Sequence, residues 1–179
     1  MLNRFWRPAV FAVLVLALAA IGGTAVAKSK KAPQKATLQA KGKTTVKRNG
    51  FIKDSVHWVP GLVTIRSGGK LTLKNRTDEP HTFSIVAAKD VPKSDKKIFD
   101  CGSPGTICDT IFTALAPDPQ GNPTKSVVDV GAPGVDQAGD TVVLNPKSNQ
   151  KVDISAKKGT TLSFICGIHA WMQGKLKVR

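Results

Sequence analysis

"TLSFICGIHAWMQGKLKV" (residues 161–178) sets a strand pattern on either side of a short loop. In "TLSFIC" every second residue, Leu162, Phe164 and Cys166, falls on one face, and in "GKLKV" Leu176 and Val178 do the same. The loop between them puts Cys166, His169 and Met172 within seven residues. The period of two recurs upstream. Val63 and Ile65 alternate in "LVTIR", and Leu71 and Leu73 in "KLTLK" after an "SGG" turn. "HTFSIV" turns His81, Phe83 and Ile85 inward and Thr82 and Ser84 to the other face. "TVVLNP" (141–146) and "KVDIS" (151–155) complete the series. About seven or eight short strands joined by turns predict an all-β chain, an antiparallel or mixed β-sandwich.

Residues 87–140 read differently, rich in Gly, Pro and Asp. They contain one helix-like patch, with Pro104 near its start and Ile107, Ile111 and Leu115 at i, i+4, i+8. So long an irregular stretch inside a compact domain needs a brace or a function. Cys101 and Cys108, in "DCGSPGTICD", lie close enough to bridge. A disulfide is the expected state outside the cytoplasm, with a redox or metal-binding pair as the alternative. Of the chain's three cysteines, Cys166 is then the odd thiol.

The N-terminus reads as a secretory signal over residues 1–27. Arg4 and Arg7 precede an apolar run at 9–21, and Ala25 and Ala27 give a small-residue cleavage pattern before Lys28. The run is shorter than the roughly 20 residues of a membrane span; an uncleaved anchor is the rival reading. Either way the rest is expected to be exported, to the periplasm, the medium or the outer face of the membrane. Without Arg4 and Arg7 the 27 basic residues fall to 25 against 12 acidic, about +13 for a single domain. Residues 28–48 hold seven lysines, one arginine and no acid, and lack hydrophobic periodicity, which predicts a disordered basic arm. Export argues against nucleic acid as its partner. An anionic membrane surface, or service as a plain tether, fits better.

Cys166 and His81 face the core, and His169 and Met172 lie on the adjoining loop. One thiolate, two imidazoles and one thioether make the trigonal His₂Cys set with a weak axial Met that suits copper. Zinc would accept the Cys and His ligands but gains little from a thioether. A binuclear site would need a cysteine where Leu162 stands, and three histidines in all cannot build a trinuclear oxidase cluster. His57 and Trp58, in "SVHWVPG", have no matching partner and are assigned to structure or surface.

With "EPHTFSIV" and "FICGIHAWMQGKLKV" in hand, the chain resembles the cupredoxins, the plastocyanin, azurin and amicyanin group, over residues 52–86 and 141–179. Its C-x-x-H-x-x-M loop is most similar to the amicyanin type. The resemblance implies a Greek-key sandwich over 49–179 with 87–140 as an insertion, and His81, Cys166, His169 and Met172 as ligands of one Cu(I)/Cu(II) ion. It implies no enzyme, but a monomeric one-electron carrier. His169 would be the exposed ligand edge, with Pro80 and Trp171 in the docking patch around it. The basic surface adds a redox partner with an acidic face. The same ligands would serve a protein that scavenges, stores or delivers copper, which is the alternative. Three positions make two departures from the family pattern. Thr82 stands where many relatives have a loop-bracing asparagine, and Ile168 and Ala170 stand where prolines are common, so a less rigid loop is expected.

Overall fold

The computed structural model describes residues 31–179; the expected signal segment lies outside the described residues. The first strands are β1 (Lys35–Lys41), β2 (Thr44–Lys47), β3 (Phe51–Asp54), β4 (His57–Val59), β5 (Leu62–Ile65), β6 (Gly69–Asn75) and β7 (His81–Val86). Helices α1 (Asp95–Phe99) and α2 (Ile107–Ala114) follow. Then come β8 (Val127–Val128), β9 (Thr141–Leu144), β10 (Asn149–Ile154), β11 (Thr161–Ile165) and β12 (Gln173–Val178).

Two sheets form a β-sandwich. One has the order β10-β6-β1-β4 and the other β5-β12-β11-β7-β9-β8, while β2 and β3 pair only with each other. The β1–β6 and β5–β12 pairs are parallel and the rest antiparallel, so the sandwich is mixed. Alternation explains the core. Leu38, Leu71, Leu73 and Ile154 from one sheet meet Phe83, Ile85, Phe164, Leu176 and Val178 from the other, all buried. Each such side chain contributes about 1.5–3 kcal/mol by leaving water. Phe83 and Phe164 pack with ring centroids 5.0 Å apart. Trp58 stands edge-on to both, at 6.4 and 6.1 Å.

Three features correct or add to the reading of the sequence. First, residues 28–48 are not a disordered arm throughout. β1 sits between β6 and β4, with Leu38 and Ala40 fully buried. "KATLQAK" does alternate, through Ala36, Leu38 and Ala40, but small alanines between lysines conceal the pattern. β2 and β3 then form a hairpin. Second, the outer face of β7 is not open to water, since all six residues of "HTFSIV" are buried. Third, residues 87–140 supply the cover. Ile111 and Leu115 of the expected helical stripe join Cys101, Cys108, Val86, Ile165 and Ala170 in a second apolar cluster. Cys101 and Cys108 are joined by a disulfide, which ties a 3-10 turn at Asp100–Gly102 to α2. Among the described residues no helix is long and apolar enough to cross a membrane.

Candidate metal centre

β11 delivers Cys166 at its end, and the loop folds back at once. The Cys166 N–H donates to the Met172 carbonyl (2.9 Å) and the Met172 N–H to the His169 carbonyl (2.8 Å). The two x-x gaps therefore close a tight loop rather than an open one. β7 lies beside β11 and brings His81 to the same place. Cys166 Sγ is 3.7 Å from His81 Nδ1 and 3.7 Å from His169 Nδ1, and the two nitrogens are 3.1 Å apart. The point equidistant from these three atoms lies about 2.0 Å from each, close to a transition-metal–imidazole bond length. Met172 is buried in the same cluster as Cys166.

The outer ring nitrogens decide which lone pairs face that point. His81 Nε2 is 2.8 Å from Thr77 Oγ1. The Thr77 hydroxyl has acceptors in Asn75 Oδ1 (2.8 Å) and the Glu79 carbonyl (3.1 Å), which leaves Oγ1 free to accept the His81 Nε2–H. Asn75 is itself buried and fixed, its amide donating to the carbonyls of Glu79, Leu144 and Asn145. His169 Nε2 lies 3.1 Å from Glu79 Oε2 and 3.8 Å from Asp54 Oδ2. With both Nε2 hydrogens committed, both Nδ1 atoms turn lone pairs toward one point, an arrangement that a cation stabilises.

Burial dominates the electrostatics of the cluster. Burial, and next the neighbouring His169, lowers the His81 pKa to about 4, with Glu79 and Asp54 opposing. Burial raises the Cys166 thiol above its usual value, while N–H groups from Thr82, His169 and Ile168 oppose it. The Thr82 N–H donates to the sulfur at 3.3 Å. A bound metal is what would make such a buried thiol ionise at neutral pH.

Thr82 also reaches the loop, its Oγ1 accepting from the Gly167 N–H (2.8 Å) and the Ser84 hydroxyl (3.0 Å). From outside, α2 closes on the same spot. A Cβ on Gly167 would lie 3.0 Å from Ile111 Cγ2, so a larger residue there would need Ile111 to give way. Gln173 Nε2 ties the loop's end to the carbonyls of Pro92 (2.6 Å) and Ala170 (2.7 Å).

All four expected ligand residues are buried here, and His81, Cys166 and His169 converge. Pro80 is exposed, and Trp171 is 42% exposed with its ring 5.2 Å from that of His169. His169 is not an exposed edge, however. It is only 7% exposed, because Glu79 and Asp54 cover its outer nitrogen. His57 is exposed and its Nδ1 pairs with the Ser55 carbonyl (2.8 Å), away from the cluster, while Trp58 is core. Sequence reasoning missed Asn75, Thr77, Glu79 and Asp54. "NRTDEPH" carried a signal for the first three, polar residues within six positions of His81; Asp54 comes from a separate strand and carried none.

No family model matches the chain, and no curated protein does. Among solved structures it is similar to a dithionite-reduced auracyanin from Roseiflexus castenholzii, at 13% identity and TM-score 0.46, covering 83% of this chain and 98% of that one. It is also similar to a purple cupredoxin from Nitrosopumilus maritimus, at 13% identity and TM-score 0.41, covering 80% and 99%. Plastocyanin from Dryopteris crassirhizoma gives 17% identity and TM-score 0.39, covering 80% and 99%.

Proposed function

We propose that this β-sandwich is a cupredoxin that holds one copper ion and carries single electrons outside the cytoplasm. The observation that carries the reading is the triangle of His81 Nδ1, His169 Nδ1 and Cys166 Sγ, with sides of 3.1, 3.7 and 3.7 Å. Met172, buried in the same cluster as Cys166, would supply the fourth donor, a thioether. A copper ion in that donor set supplies a Cu(I)/Cu(II) couple tuned by the thiolate and thioether. The chain's own residues do the rest. Thr77 and Glu79 keep the protons of His81 and His169 on Nε2, so both Nδ1 atoms stay available. The Thr82 N–H disperses charge on the sulfur. Burial keeps water off the donors, and Thr82 and α2 hold the loop in one shape, which limits rearrangement between oxidation states. The Cys101–Cys108 disulfide fits an oxidising compartment.

The test is the visible spectrum of the protein after adding Cu(II), beside Cys166→Ser and Met172→Leu. An intense charge-transfer band, absent in Cys166→Ser and shifted in Met172→Leu, is expected. A colourless protein with unaltered copper affinity in Cys166→Ser would sink the assignment. A copper carrier for scavenging, storage or delivery is the second reading, and one observation favours it. Glu79 and Asp54 set two carboxylates over His169 Nε2, oxygen donors on the outer side of a site whose loop histidine is hidden. Rapid loss of Cu(II) to a chelator, with slow electron self-exchange, would decide for it.

A further inference from the structure

The β2–β3 hairpin stands apart from the sandwich in chemistry as well as pairing. It belongs to neither large sheet. Its segment, "KTTVKRNGFIK" (43–53), carries Lys43, Lys47, Arg48 and Lys53 and no carboxylate. The first acid is Asp54 at the root, where it accepts from the Thr44 hydroxyl (3.0 Å) and the Val56 N–H (2.8 Å) and faces His169. Three large apolar side chains lie out in water: Val46 at 69%, Phe51 at 52% and Ile52 at 74% exposure. A chain this size has enough core to hide three such residues, so leaving them out on one ribbon calls for something that covers them.

The register says what kind of cover. Val46 pairs with Ile52 on one face, and Lys47 pairs with Phe51 on the other. A protein partner lies flat against one face of a ribbon and leaves the other in water. A lipid interface surrounds the tip and takes apolar groups from both faces. Lys47 and Arg48 flank the turn, which the Gly50 N–H closes onto the Lys47 carbonyl (3.0 Å). Their long stems can lie along the acyl boundary while the charges stay among head groups. Four cations without an acid select anionic lipid. The root is stiff, since the Ser55 N–H and hydroxyl both donate to the Lys43 carbonyl, at 3.1 and 2.9 Å. The ribbon can thus be pressed into a surface without unfolding.

We propose that the 43–53 hairpin is a membrane-docking element whose tip, Val46, Phe51 and Ile52, enters the interface of an anionic bilayer while Lys47, Arg48 and Lys53 bind lipid phosphates. It does not depend on what Cys166 and the histidines bind. Because Asp54 joins the hairpin root to His169, docking holds the metal centre beside the membrane surface.

The experiment measures partitioning of the exported protein, metal-free and copper-loaded, onto vesicles of phosphatidylglycerol and phosphatidylcholine and onto pure phosphatidylcholine vesicles. Wild type is expected to bind the anionic vesicles at least tenfold better. Phe51→Ser with Ile52→Ser, and separately Lys47→Glu with Arg48→Glu, should each weaken that binding at least tenfold. Both pairs are exposed, so thermal unfolding should match wild type and separate a docking defect from misfolding. Binding that survives the apolar double change, and is lost only on charge reversal, would overturn insertion in favour of plain adsorption to a polyanion. Equal binding to both vesicle types, or to neither, would overturn the proposal outright.

Discussion

Glu79 Oε2 sits 3.1 Å from His169 Nε2, the ring nitrogen that is not turned toward Cys166. The contact comes from the turn just ahead of His81, so a single short segment, residues 75–81, governs both histidines. Glu79 holds the proton of one and Thr77 that of the other. It also places a negative charge, rather than open water, at the outer edge of the site.

That charge should be visible in the reduction potential. A nearby carboxylate favours the more positive oxidation state. At an effective dielectric of about 20 the interaction is on the order of 1–2 kcal/mol, or roughly 40–90 mV. Glu79→Gln keeps an acceptor for the His169 Nε2–H and removes the charge. The potential of the copper protein, read by voltammetry, should therefore rise by about that amount. No change would mean that the cap does not sense the metal.

Thr77→Val tests the other imidazole. The change keeps the shape and removes the acceptor of a buried His81 Nε2–H. Leaving that donor unpaired should cost about 1–3 kcal/mol of stability in urea denaturation of the metal-free protein. It should also weaken copper binding by about 10- to 100-fold, the usual consequence of losing a partner behind a metal-binding histidine. Thr77→Ser keeps the hydroxyl and should restore most of both. Full affinity in Thr77→Val would remove Thr77 from the site.

His81 gives the metal-free protein a pH dependence of known sign. Its pKa falls from 6.5 to about 4 on folding, chiefly through burial. Between those values the unfolded chain takes up a proton that the folded one refuses, so stability drops as pH falls through this window. Above about 6.5 this contribution is complete, and below about 4 it is gone. Denaturant midpoints at several pH values should show the slope in wild type and a shallower one in His81→Gln. Equal slopes would mean that His81 does not stay neutral in the folded state.

The sandwich, and the meeting of His81, Cys166 and His169, were legible because both are written in local pattern. Alternation marks β5, β6, β7, β11 and β12, and the C-x-x-H-x-x-M spacing marks the loop. β1 was missed because alanine gives weak contrast in "KATLQAK", and lysine-rich flanks pulled the segment toward disorder. The exposure of His169 was misjudged because its cover comes from Asp54 and Glu79, neither on its own loop. Cover of that kind is a property of topology, and no short window of sequence contains it. The role of residues 87–140 was hidden for the same reason: Ile111 announces an amphipathic helix, but not that Gly167 is what it meets.

Ile111 is accordingly the side chain that this segment packs against the loop, beside the Pro92 carbonyl that Gln173 reaches. It is 5% exposed and lies against Gly167, one residue past Cys166. Ile111→Ala should destabilise the protein by about 2–4 kcal/mol through lost burial and the space left behind. It should also free the ligand loop on its outer side, leaving Thr82 and Gln173 to hold it. The expected result is faster loss of copper to a chelator and earlier proteolytic cleavage within 166–172. Ile107→Ala, at the half-buried rim of the same helix, should do much less of either. If Ile111→Ala lowers stability but leaves copper release at the wild-type rate, the segment is a cover for the sheet and not a brace for the metal centre.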